Sequence, residues 1–162
     1  MSATTQDTCS AKLPNAVNGR MADLKAMYRP HDCDQDELIE FLDGMGIDTP
    51  DPDEDGSYDE NEEILNENAS EEKYNYGLAF DYVTPGTFDN DAGFWRYQIS
   101  CGGPSEELRF YTRDRVDFVY LDWFDGATFR LSGDQLETAS VMFDDFDDCG
   151  TTDHVREQAE GS

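Results

Sequence analysis

Phe94-Trp95-Arg96-Tyr97-Gln98-Ile99-Ser100 is the stretch on which the fold turns. Trp95, Tyr97 and Ile99 alternate with Arg96, Gln98 and Ser100, a period of two that puts apolar side chains on one face of a half-buried strand. Outward from it, Cys101-Gly102-Gly103-Pro104-Ser105 turns the chain into Leu108-Arg109-Phe110-Tyr111-Thr112, a second strand. Thr112 to Arg115 turns it again into a third strand, Val116 to Phe124. Asp125-Gly126 then reads as a two-residue hairpin signal leading to a fourth, Ala127 to Leu131. Fifteen of the twenty aromatic residues fall between Tyr74 and Phe129, so the packed core is expected there. A last helix is expected from Asp134, with Glu137 as its capping-box partner, turning Leu136, Ala139, Phe143 and Phe146 to the sheet. The predicted fold class is α+β: a four-stranded antiparallel meander packed by a C-terminal helix, with an acidic N-terminal helical arm.

Upstream, residues 1–15 are polar and expected to be disordered. Val17, Met21, Leu24 and Tyr28 recur at helical spacing, and Pro30 ends that helix. Asp34 with Glu37 three residues on forms a capping-box pattern for a second helix, with Leu38, Phe41, Leu42 and Met45 on one face and Gly44 and Gly46 at its end. Residues 47–57, with Pro50, Pro52 and Gly56, read as a loop, and a third helix is expected from Asp59 to about Glu72. The domain reading is therefore an acidic helical arm over 16–72, an α+β core over 73–148 and a frayed tail over 149–162.

Charge is the outlier of this 162-residue chain, with a net value of −27. From Pro30 to Glu72 there are eighteen Asp and Glu residues and no Lys or Arg. Such carboxylates repel one another and weaken the compact state unless salt or a partner supplies positive charge. The same field repels nucleic acid and anionic membranes, so neither direct DNA or RNA binding nor membrane association is expected. Duplex DNA carries one charge per roughly 1.7 Å of axis, so 27 charges correspond to about 13 to 14 base pairs. Over a body some ~40 Å across, that approaches the linear charge density of the duplex. Cys9, Cys33, Cys101 and Cys149 form no CxxC pair and the opening residues lack a basic and an apolar region, so a cytoplasmic location in the host cell with reduced thiols is expected.

Several patterns are candidate sites. Carboxylates three or four apart on a helix lie about 5 to 6 Å from one another, close to the spacing of phosphates along a strand. The residues expected to meet a partner are Asp51, Asp53, Glu54, Asp55, Asp59, Glu60, Glu62 and Glu63, with Asp144, Asp145, Asp147 and Asp148 as a second patch. Asp51, Asp53, Asp55, Ser57, Asp59 and Glu62 also occupy the ligand positions of an EF-hand calcium loop, with Gly56 at its sixth position. Against that pattern, Pro50 breaks the entering helix and no second loop exists. Salt adaptation also produces acid-rich chains poor in Lys, and here three Lys stand against eight Arg. Pro50-Asp51 followed by Glu71-Glu72-Lys73 imitates a nuclease spacing but falls on a loop and a helix. His31, Cys33, Cys149 and His154 lack a recognised zinc spacing. No catalytic fingerprint is present, so a non-enzymatic protein is expected, without a cofactor unless the loop takes calcium.

Three segments carry a resemblance: Tyr76 to Phe88, Phe94 to Phe110, and Leu121 to Ala127. They resemble a group of small acidic proteins encoded on plasmids and phages, over about residues 74–128. Cys101 stands where that group has an aromatic, and the acidic arm lies outside the match. The resemblance implies a setting alongside anti-restriction genes and transfers no site residue. Together with the charge it points to an acidic inhibitor of the DNA-mimic type, in the anti-restriction or anti-CRISPR class. Such an inhibitor occupies the basic groove of a DNA-handling host protein such as a restriction or CRISPR effector. The alternative is a calcium-binding or salt-adapted cytosolic module.

Overall fold

Alternation of apolar and polar residues gives five strands rather than the four expected. The computed structural model describes residues 9–87, 91–102, 104–122 and 125–161. β1 (Ala79–Val83), β2 (Phe94–Ser100), β3 (Ser105–Thr112), β4 (Arg115–Asp122) and β5 (Asp125–Arg130) pair antiparallel in sequence order. The unexpected strand is β1, whose Phe80 and Tyr82 pair with Tyr97 and Trp95. Five residues beside Pro85 and Gly86 are short for a strand signal, and only the register against β2 makes the alternation visible.

The helices are α1 (Cys9–Tyr28), α2 (Gln35–Gly44), α3 (Glu62–Glu71), α4 (Lys73–Tyr76), α5 (Gly133–Asp148) and α6 (Thr151–Glu160), with single 3₁₀ turns at Pro30–Asp32 and Asp59–Asn61. The chain divides into two compact units. A sheet unit comprises residues 1–18 and 77–162, and a helical unit residues 19–76. Among the described residues, no helix is long and apolar enough to cross a membrane.

In the sheet unit, one face carries Phe80, Tyr82, Trp95, Tyr97, Leu108, Phe110, Val116 and Phe118, as the strand registers require. Helix α5 packs on it through aromatic pairs. Phe146 stacks on Phe80 at 4.2 Å, and Phe143 meets Trp95 edge-on at 5.3 Å and Phe110 at 5.6 Å. The other face bears a row of charges running across all five strands, with Asp81, Arg96, Arg109, Asp117 and Arg130 successively opposite one another. Arg96 grips Asp81 with two hydrogen bonds of 2.7 and 3.0 Å, and Arg109 pairs with the buried Glu107 at 2.7 Å. Arg109 also lies 4.8 Å over the ring of Phe94.

Four expectations for this unit are corrected. Of residues 1–15, expected to be disordered, 1–8 lie outside the described residues and 9–15 are helical, with the Asp125 carboxylate accepting the Cys9 N–H at 2.8 Å and supplying an anion at the helix N-terminus. Asp125 and Gly126 are not the hairpin turn: they open β5, opposite Asp122 and Leu121. The intervening Trp123 and Phe124, expected at the end of the strand, lie outside the described residues. Helix α5 starts at Gly133 after Ser132, with no side-chain cap, so the Asp134–Glu137 box does not form. The tail does not fray. Gly150 takes a left-handed φ of 78°, and α6 follows, with Thr152 buried and its carbonyl accepting the Trp95 indole N–H at 3.0 Å.

Gly77 sits where an added Cβ would strike the buried ring of Tyr97. Gly77→Ala is expected to destabilise the sheet unit by about 1–3 kcal/mol, read as a fall of several degrees in Tm by calorimetry.

Candidate functional site: carboxylates on a packed helical scaffold

The acidic run is folded. In α2 the Asp34 carboxylate accepts the Glu37 N–H at 2.8 Å while Glu37 accepts the Asp34 N–H at 3.1 Å, the capping box expected from the sequence. Leu38, Phe41 and Leu42 of α2, Leu65 and Ala69 of α3, and Leu24 and Met27 of α1 are buried. A single apolar stripe on each helix therefore anchors the segment and leaves its acids facing water. The third expected helix is present, entered through the 3₁₀ turn at Asp59 rather than directly.

Between α2 and α3 the loop holds its own shape. Asp53 N–H donates to the Ser57 carbonyl at 2.7 Å and Gly56 N–H to the Asp53 carbonyl at 2.9 Å, with Gly56 in the left-handed region at φ 84°. The Asp55 carboxylate accepts the Ser57 N–H and hydroxyl at 3.0 and 2.7 Å, which holds its pKa below the ordinary value. Asp53 accepts the Ser57 hydroxyl and the Glu60 N–H, both at 3.3 Å. Gln35 of α2 ties the loop down from outside: its amide donates to Asp59 at 2.8 Å and accepts the Tyr58 N–H at 2.9 Å. Asp53, Glu54, Asp55, Asp59 and Glu60 thereby border a shallow open hollow of about 660 Å³.

Of the partner residues expected from the sequence, Asp51, Glu54, Asp55, Asp59, Glu60, Glu62 and Glu63 are exposed and Asp53 is half-buried. All eight belong to the helical unit. The second patch lies in the sheet unit at the end of α5 and is partly spoken for. Asp144 receives two 2.8 Å hydrogen bonds from Arg113, which hold its carboxyl below the usual range. Asp147 accepts the Thr152 hydroxyl at 2.5 Å in the first turn of α6. Asp145 is half-buried, and Asp148 is exposed. Acids that oppose the dipole of α5 thus sit beside the positive end of α6, which offsets that cost.

The calcium positions Asp51, Asp53, Asp55, Ser57, Asp59 and Glu62 lie in one loop, with Glu62 opening α3. No helix enters this loop: α2 ends at Gly44, and Pro50 and Pro52 lead in without regular structure. Among the described residues, no three His, Cys, Asp or Glu side chains converge as a metal-holding group. Asp53, Asp55 and Asp59 instead accept the hydrogen bonds described above. His31 and Cys33 belong to the helical unit and Cys149 and His154 to the sheet unit, and the His31 ring nitrogen Nδ1 lies 3.2 Å from the Asn66 amide.

Two residues were not signalled by the sequence. Gln35 is an ordinary helix former until its contacts to Tyr58 and Asp59 are seen. Asp23 is half-buried, and desolvation raises its pKa although the Tyr76 hydroxyl donates to it at 2.6 Å and Arg20 lies nearby. Its long-range partner could not be read from local periodicity. No family model, curated protein or solved structure matches the chain.

Gln35→Ala removes both ties to the loop. With about 1 kcal/mol for a net hydrogen bond, amide exchange at Tyr58 is expected to rise about fivefold, measured by NMR. Asp23 gives a pH prediction. Its folded pKa lies above the unfolded value, so the folded state holds the proton more tightly and gains stability as pH falls through that folded value. Asp23→Asn should flatten this part of the stability–pH curve just above the ordinary carboxylate value of about 4, followed by urea melts.

Proposed function

We propose that the protein is a non-enzymatic acidic inhibitor of the DNA-mimic type. It would occupy the nucleic-acid groove of a basic DNA-handling protein in the host cytoplasm, with a restriction or CRISPR effector as the target class. One observation carries the reading: eighteen carboxylates without an intervening Lys or Arg lie on helices with buried apolar faces and on a hydrogen-bonded loop between them. An ordered array keeps its charge in register, whereas a flexible polyanion must be ordered on binding, at a cost in affinity. The contacts fall on Asp51, Glu54, Asp55, Glu60, Glu62 and Glu63, whose carboxylates are exposed, with Asp53 and Asp59 fixing the loop that presents them. Asp148 is the better candidate of the second patch, because Asp144 is matched by Arg113. The resemblance over residues 74–128 to acidic proteins of plasmids and phages agrees with an anti-restriction setting.

Electrostatic steering makes such association fast and strongly weakened by salt. A pull-down from host lysate eluted with competing duplex identifies the target. Its affinity should then fall steeply between 50 mM and 1 M NaCl, and the combined variant Glu60→Gln, Glu62→Gln, Glu63→Gln should slow association about tenfold without lowering Tm. A complex that survives molar salt unchanged would refute the reading.

A further inference from the structure

Within the helical unit, the gap between α1 and α2 is a groove of about 470 Å³, inside the 300–1,000 Å³ or so typical of ligand sites. Ala22, Phe41 and Met45 make its apolar surface, and Met45 is 40% exposed, one of the few large apolar side chains left in water. Gly19 and Gly44 keep it open: at neither would an added Cβ meet any atom within 4 Å. Three carboxylates, Asp23, Glu37 and Glu40, border it. Two of them are fixed, Asp23 by the Tyr76 hydroxyl and Glu37 by the capping box of α2.

We infer that this groove is the apolar anchor site for the partner, and that its occupant is an amphipathic basic helix placing a Leu- or Met-like side chain between flanking Arg or Lys residues. This rests on the mimic reading and deepens it. Charge complementarity selects the occupant: an apolar floor takes an apolar side chain, and the border takes positive charge, because its three carboxylates outnumber the one cation nearby, Arg20 beside Asp23, and no cation is among the lining residues. A second copy of this chain, at −27, brings the wrong sign. Carboxylate arrays set the rate and specificity of encounter, whereas tight interfaces draw most of their energy from a few buried apolar or aromatic anchors. Among the described residues of the acidic loop, Asp53, Glu54, Asp55, Asp59 and Glu60 border an open polar hollow rather than an apolar one.

The test uses the full chain and two synthetic helical peptides of equal charge, one with three Leu at i, i+4 and i+7 among Arg residues and one with those Leu replaced by Gln. A third, uncharged Leu peptide serves as the neutral probe. The Leu/Arg peptide should shift the Met45 methyl resonance and bind about tenfold or more tightly than either other peptide. Its advantage over the Gln peptide should persist at 0.5 M NaCl, where exposed charge is screened. Gly19→Leu and Gly44→Leu fill the groove without altering charge and should remove that advantage, with Tm as the folding control. Equal binding of the Leu/Arg and Gln/Arg peptides to the unaltered protein overturns the inference, as does equal binding of the neutral peptide. Neither result touches the mimic reading, which stands or falls on the salt dependence of the effector complex.

Discussion

Mutual repulsion of carboxylates is the constraint the whole structure answers to, and the two units answer it differently. In the sheet unit, arginines are set among the acids. Arg96 meets Asp81, Arg109 meets Glu107, Arg130 meets Asp117 and Arg113 meets Asp144. In the helical unit the four basic residues all lie outside the stretch from Pro30 to Glu72. Arg29 reaches into it to pair with Asp32 at 3.1 Å, and the helices that carry its acids are held by apolar packing. Two exposed carboxylates about 6 Å apart repel by roughly 0.7 kcal/mol in water, less in salt. Each buried Leu, Met or Phe contributes about 1.5–3 kcal/mol, so packing wins where one face of each helix is buried and the other is left to charge.

Uneven compensation gives the molecule its character. The sheet unit sets Arg96, Arg109 and Arg130 among its acids, in a row from Asp81 to Arg130. The helical unit concentrates negative potential on a surface whose loop is pinned by Gln35 and by its own Ser57 and Gly56 geometry. On the proposed reading, attraction at a distance and adhesion at contact fall to different features: exposed acids for the first, an apolar groove with a carboxylate border for the second.

Local signals were read well wherever a local rule decides the outcome. The strand at Trp95, the α2 capping box, the helix around Leu65 and the aromatic face of α5 at Phe143 and Phe146 all follow from periodicity or capping within a few residues. What escaped was settled by contacts distant in sequence. β1 is a strand because β2 pairs with it, α1 begins early because Asp125 caps it from 116 residues away, and α6 is held through Thr152 and Trp95. Asp125-Gly126 shows the converse error, a good turn dipeptide absorbed into β5 opposite Asp122 and Leu121. The acidic surface was legible as composition. The face of Leu38, Phe41 and Leu42 was legible from helical spacing and is buried, whereas the ties from Gln35 to Tyr58 and Asp59 depend on contacts more than twenty residues apart.

The order of the chain has a consequence for how such a protein changes. The helical unit is an insertion: residues 19–76 interrupt a body whose remaining pieces, 1–18 and 77–162, lie on either side of it in sequence. During synthesis it emerges before the first strand of the sheet. Its sequence can drift, or be replaced by another segment with the same two ends, without rewiring a single strand pairing.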